Sequence, residues 1–131
     1  MSKGKRISVS DGMAQLQYLA ERTPEMAFSG GAAAAFAELC EYRDGAIYVG
    51  HYSGNSEWER HAHGDEIVMV LDGATTLVLL EGGAERRVAL RANELAVVPE
   101  NTWHRFEGSQ RLKIMTVTPQ PTDHALQRPP R

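Results

Sequence analysis

The stretch Glu66-Ile67-Val68-Met69-Val70-Leu71-Asp72-Gly73-Ala74-Thr75-Thr76-Leu77-Val78-Leu79-Leu80-Glu81-Gly82-Gly83 decides the fold class of this 131-residue chain. Residues 66–71 and 75–80 are aliphatic and β-branched runs, short for helices and each closed by glycine, which is the signature of strands. Asp72-Gly73 predicts a tight hairpin between them, since that dipeptide readily supplies positive φ. Glu81-Gly82-Gly83 predicts a further hairpin into residues 86–90. The run 67–71 is apolar on both faces, which predicts a central strand covered on both sides.

Working outward, the same punctuation continues. Residues 39–43 and 46–53 are joined at Asp44-Gly45, a third hairpin signal. Segment 56–61 is followed by a turn at Gly64-Asp65; segment 95–98 ends at Pro99; segments 103–107 and 112–118 complete about nine strands. That regular spacing predicts an all-β sandwich or barrel. Nearer the N-terminus, Asp11 is placed to cap a helix running to Glu21, with Met13, Leu16 and Leu19 on one face. Thr23-Pro24 ends it. Gly30-Gly31 and the alanines after it read as a loop feeding the first strand. Residues 119–131 hold four of the six prolines, which predicts an extended tail, disordered or draped over a neighbour. The organisation is therefore an extension with a short helix (1–36), a barrel (37–118) and a proline-rich tail (119–131).

Composition narrows the function classes. The hydrophobic fraction is 42%, the charged fraction 24% and the net charge −3, values ordinary for one globular domain. Lysines and arginines are scattered, so nucleic acid is not an expected partner. The lone cysteine, Cys40, cannot form an internal disulfide and reads as a small buried hydrophobe. No apolar run is long enough for a signal peptide or a membrane span. A reducing, cytoplasmic setting is expected.

The chemistry lies in two segments, Trp58-Glu59-Arg60-His61-Ala62-His63-Gly64-Asp65-Glu66 and Pro99-Glu100-Asn101-Thr102-Trp103-His104. Side chains two apart on a strand share a face, so Glu59, His61 and His63 point one way if the strand runs that far. The Gly64-Asp65 turn then returns Glu66 beside His61, and His104 follows a proline-anchored turn. Two imidazoles and a carboxylate converging on one point leave open positions on a divalent transition metal: iron, manganese, nickel, cobalt or zinc.

These segments resemble the two motifs of the cupin superfamily of small β-barrels. In the first motif Glu59 stands where a histidine is usual, His61 matches the second histidine, four residues intervene before Glu66, and Gly73 closes the motif after six more. In the second, Asn93 and Asn101 replace glycines, an exchange tolerated because Asn enters left-handed geometry, while Pro99 and His104 match. The resemblance covers residues 37–118. It implies a double-stranded β-helix, or jelly-roll barrel, with Glu59, His61, Glu66 and His104 at a metal and a tendency to form homodimers. The segment before residue 37 is a candidate for a strand added to a neighbour's sheet, or a helix closing one barrel end.

Three roles remain open for the altered position. Glu59 is a fourth ligand, or a catalytic general base beside the metal, or His61 and His63 form the histidine pair instead. Tyr48, Tyr52, Trp58, His63, Met69, Trp103, Phe106 and Met115 are candidates for the cavity wall, whereas Arg60 and Arg105 alternate with ligands and should face outward. His51 and His124 read as ordinary surface residues. The functional expectation is a metal-binding barrel, possible as an enzyme for a small oxygenated organic molecule by oxygenase, isomerase, lyase or cyclase chemistry. The competing expectation is a barrel that binds a sugar or another small molecule without turnover, with or without metal.

Overall fold

The computed structural model describes residues 4–130. Among them, helix α1 (Val9–Ala14), strand β1 (Leu19–Arg22) and helix α2 (Met26–Ser29) precede the strands β2 (Phe36–Tyr42), β3 (Gly45–Gly54), β4 (Trp58–His61), β5 (Glu66–Glu81), β6 (Ala84–Arg91), β7 (Leu95–Val98), β8 (His104–Pro119) and β9 (Thr122–Ala125). The expected all-β barrel is therefore what the chain forms. Two long antiparallel strands, β5 and β8, pair with each other and belong to both layers. At one end they continue into β7 on one side and β3 and β2 on the other. At the other end they continue into β6 and into β4 and β9.

The long strands bend from layer to layer at bulges, and here the expected Asp72-Gly73 hairpin is corrected. Register shifts flank Asp72, and Gly73 has φ +77°. A Cβ on Gly73 would sit 2.4 Å from the carbonyl oxygens of Gln110 and Arg111. Positive φ here makes a bulge, which increases twist and lets one strand serve two sheets. Across the ladder, Gly108 and Arg111 also have positive φ, so β8 runs through where two strands were expected. The hairpin at Gly82-Gly83 forms as expected, with both glycines at positive φ. At Asp44-Gly45 a hairpin also forms, but the positive φ falls on Arg43. Gly45 is required instead by the carbonyl of Thr118, which leaves no space for a Cβ.

Both chain ends differ from expectation. The helix starts earlier, at Val9, because the Ser8 hydroxyl accepts the amide of Asp11, and it stops at Ala14. Residues 19–22 leave the helix to pair in parallel with β3, so this strand is used within its own chain. The tail is not loose either. Its residues 122–125 add β9 to β4, with His61 opposite Thr122 and Glu59 opposite His124. The β5 run is covered on one side only: Val68 and Val70 are fully buried, but Ile67 is 40% exposed.

The main core between the layers contains Tyr52, Val68, Val70, Leu77, Leu79, Leu90, Val98, Phe106, Leu112 and Ile114. A second cluster of Trp58, Val78, Leu80 and Trp103 packs on the outer face of the layer containing β4. Burial of these side chains supplies the driving force that holds the polar site open beside them.

Candidate metal centre and cavity

Three local devices bring the two motif segments together. Asn101 sits at φ +61° and its amide donates to the carbonyl of His61 at 2.8 Å. The Asp65 carboxylate accepts the amide of Glu100 at 2.7 Å. Glu59 lies opposite His104 across the β4–β8 ladder. The His61 and His104 rings consequently stand 5.2 Å apart, centroid to centroid.

Glu66 Oε1 lies 3.3 Å from His61 Nε2 and 3.0 Å from His104 Nε2. All three side chains are buried, yet among the described residues none of these three atoms has a properly aligned hydrogen bond. The reason lies in the partners on their far sides. His104 Nδ1 is 2.9 Å from the carbonyl of Thr102, which can only accept, so Nδ1 carries the proton and Nε2 presents a lone pair. Glu66 Oε2 accepts the Thr118 hydroxyl at 2.6 Å, leaving Oε1 with its lone pairs facing the imidazoles. Converging lone pairs repel unless a cation lies among them, and the cation must be a proton or a metal ion. Donor atoms about 2.1 Å from an ion and at right angles stand roughly 3 Å apart, and both separations from Glu66 Oε1 are of that size. The donor set of nitrogen and carboxylate oxygen fits a divalent transition metal.

The protonation pattern follows the same convergence. Burial alone would raise the Glu66 carboxyl, but both imidazoles hold it down at about 2. For His104, burial opposes charge, and Glu66 and Glu59 outweigh it, so its pKa is raised. Glu59 is pushed up to about 7 by burial and then by the charges of Glu57 and Glu66. Its side chain keeps 24% of its surface accessible, at the cavity that it lines. Donor atoms of Glu59, His61 and His104 also lie within 4.8 Å of one another, so Glu59 stands within reach of the same centre.

The site opens into a cavity of about 570 Å³. Tyr48, Tyr52, Phe106, Ile114 and Thr116 form part of its wall, and Met26, Ala27 and Ala33 flank the side next to α2. Five expected wall residues lie elsewhere, and strand parity explains four of them. Glu59 and His61 face inward, so Trp58 and Arg60 face out; His104 and Phe106 face inward, so Trp103 and Arg105 face out. The Arg60 guanidinium stacks 4.7 Å above Trp103, and that of Arg105 lies 5.7 Å from Trp58. Met69 and Met115 pair with each other on the outer face between inward-pointing neighbours. His63 is exposed in the turn after β4, which removes the alternative pairing of His61 with His63.

The structure also adds residues that the motifs do not contain. Glu57 is buried at the cavity, 3.1 Å from Arg22 and 2.7 Å from His124 Nδ1. Burial opposes its charge, but His124 and Arg22 hold its carboxyl below the usual range, and Glu57 in turn raises His124. Arg22 is wedged between the rings of Phe36 and Tyr52, 4.8 and 4.5 Å from their centroids. His124 is thus a cavity residue, contrary to the surface position expected of it. His51 packs against Tyr18 at 4.7 Å, away from this site. The parity Glu57-Glu59-His61 was available in the sequence; the prolines around Thr122-Asp123-His124 hid the equivalent pattern in the tail.

Comparison with known proteins agrees with this architecture. Residues 48–118 match the family model described as Cupin domain. An uncharacterized protein of Bacillus subtilis (strain 168), YdbB, is 27% identical over 67 residues, covering 51% of this chain and 57% of that protein. A cupin-2 domain protein from Shewanella frigidimarina NCIMB 400 superposes with a TM-score of 0.55 at 24% identity, over 65% of this chain and 79% of the other. Hydroquinone 1,2-dioxygenase from Sphingomonas sp. TTNP3, solved with 4-hydroxybenzoate bound, gives 0.57 at 21% identity, over 70% and 67%. At these identities the structural likeness is one of fold.

Proposed function

This chain belongs to the cupin domain family, and on that premise we propose that it is a metal-dependent enzyme for a small oxygenated organic molecule. The observation that carries the reading is the convergence of the lone pairs of His61, Glu66 and His104 at the wall of a cavity large enough for such a ligand. A divalent metal held by these three residues would supply Lewis-acid activation, or redox chemistry if it is iron or manganese. The residues of the chain do the rest. Tyr48 and Gln120 offer hydrogen bonds to ligand oxygens, while Phe36, Phe106 and Ile114 exclude water and shape the cavity. The bound phenol of the dioxygenase relative supports a ligand of this size and polarity.

Glu59 is assigned as the general base. It faces the cavity beside the two histidines and would ionise fully next to a divalent cation. Glu59→Gln is therefore expected to retain metal while turnover falls by roughly 10²-fold. Loss of metal in that variant would make Glu59 a ligand instead. The reading as a whole is tested by ligand-induced thermal shifts with small phenols and hydroxy acids, with and without chelator. Stabilisation that needs metal, followed by chemical change of the ligand, supports the enzyme. Stabilisation unaffected by the chelator, with the ligand recovered intact, favours a binding barrel.

The expected homodimer fits a different surface from the one first considered, because β1 is already paired within its chain. Ile67, Leu95 and Val97 are 40%, 56% and 53% exposed on the adjoining strands β5 and β7. We assign this apolar edge to contact with a second copy, as a two-fold axis allows. Ile67→Glu should convert the dimer to monomer in analytical ultracentrifugation; a wild-type protein that already sediments as monomer would remove the assignment. The expected cytoplasmic setting rests on cysteine usage, and no described helix is long and apolar enough to cross a membrane.

A further inference from the structure

The C-terminal strand does more than close the sheet. Thr122 Oγ1 lies 2.9 Å from His61 Nδ1 and 3.0 Å from Gln120 Oε1. A hydroxyl has one proton to give. The Gln120 carbonyl oxygen can only accept, so the Thr122 proton goes there and the Thr122 oxygen must accept Nδ1–H from His61. Gln120 is oriented in turn by its amide nitrogen, which donates to the Tyr48 hydroxyl at 3.0 Å. The chain of donors therefore runs His61 to Thr122 to Gln120 to Tyr48, and each link fixes the direction of the next.

We propose that Thr122 is a positioning residue of the metal centre, holding His61 in the tautomer whose Nε2 lone pair points at the convergence with Glu66 and His104. The proposal rests on the metal-centre reading for its consequence, but the tautomer itself does not depend on metal. His104 is held in the same tautomer by the Thr102 carbonyl, so the two imidazoles are set by partners of different kinds. One is backbone and cannot be mutated away; the other is a single side chain in a segment outside both motifs. Register explains why it is there: His61 and Thr122 are directly opposite in the β4–β9 ladder. Tyr48 lines the cavity and is left with its own hydroxyl proton. A ligand oxygen accepting that proton would tighten the same chain, because hydrogen bonds in sequence polarise one another.

Thr122→Val keeps the shape and strand preference of the residue but removes the acceptor; Thr122→Ser restores it. In metal-free protein, ¹⁵N shifts of His61 should show a proton on Nδ1 in wild type and Thr122→Ser, and a shift toward Nε2–H in Thr122→Val. Affinity for cobalt(II), measured against a competing chelator, should fall about tenfold to hundredfold in Thr122→Val, as loss of an outer partner typically costs. It should return to within about threefold of wild type in Thr122→Ser. A His61 already protonated on Nε2 in wild type would overturn the proposal. So would equal cobalt affinity in wild type and Thr122→Val. If wild type takes up no metal at all, the metal-centre reading fails, and the ¹⁵N arm still decides the role of Thr122.

Discussion

Replacing His104 with alanine is expected to eliminate stoichiometric metal binding while the barrel survives. The imidazole is fully buried and supplies one of the three converging donors. Loss of a direct ligand should exceed the roughly 10–100-fold that removing an outer partner costs. The backbone of His104 pairs with Leu79 and Glu59, and these ladder bonds do not depend on the side chain. What is lost is packing volume and one neighbour of a buried carboxylate, a penalty on the order of 3 kcal/mol. A lower melting temperature with a cooperative transition and an unchanged far-ultraviolet spectrum is the expected result. His63→Ala is the matched control, since His63 is exposed in a turn. It should bind metal as wild type does. Metal lost from His63→Ala and kept in His104→Ala would reverse the assignment.

The second large effect is a change in the pH at which the protein is most stable. Glu66 has a folded pKa of about 2 against 4.5 unfolded, so its contribution is present above 4.5 and is lost as pH falls through that interval. His104 has a raised folded pKa, so its contribution is complete below 6.5 and is lost as pH rises above it. Glu59, raised to about 7, prefers to keep its proton on folding and therefore costs stability progressively from pH 4.5 to 7. Metal-free protein should thus be most stable near pH 4.5 and lose stability as pH rises, more steeply above 6.5. There a proton occupies the place among the lone pairs. Metal uptake displaces protons, so metal-loaded protein should gain stability toward and above pH 7, and affinity should fall as the medium is acidified. Melting temperature against pH, recorded with metal and with chelator, checks this. Two curves of the same shape would contradict it.

The positions of His61, Glu66 and His104 could be read from spacing because each is fixed by a local signal: strand parity, a turn, and a proline-anchored loop. The same is true of the glycine hairpin at 82–83 and of Asn93 and Asn101, both found at positive φ. The errors have a common physical source. Asp72-Gly73 carries identical local chemistry whether it ends a strand or bulges one, and only the partner strand decides. Bulk makes Trp58, Met69, Trp103 and Met115 candidates for the cavity wall, but strand parity sends them to the outer face. Thr122 and His124 gain their roles from pairing with β4, a contact between segments about sixty residues apart that no short motif can display. Arg22 and Glu57 meet for the same reason.

The metal centre requires a cation among His61 Nε2, Glu66 Oε1 and His104 Nε2. The most direct measurement is elemental analysis of tag-free protein equilibrated above pH 7 with iron(II), manganese(II), cobalt(II), nickel(II) and zinc(II), followed by anomalous diffraction at the edge of the metal retained. About one ion per chain is expected, with its anomalous peak between those three atoms. A chain that retains none of the five metals, or holds its ion away from these side chains, would contradict it.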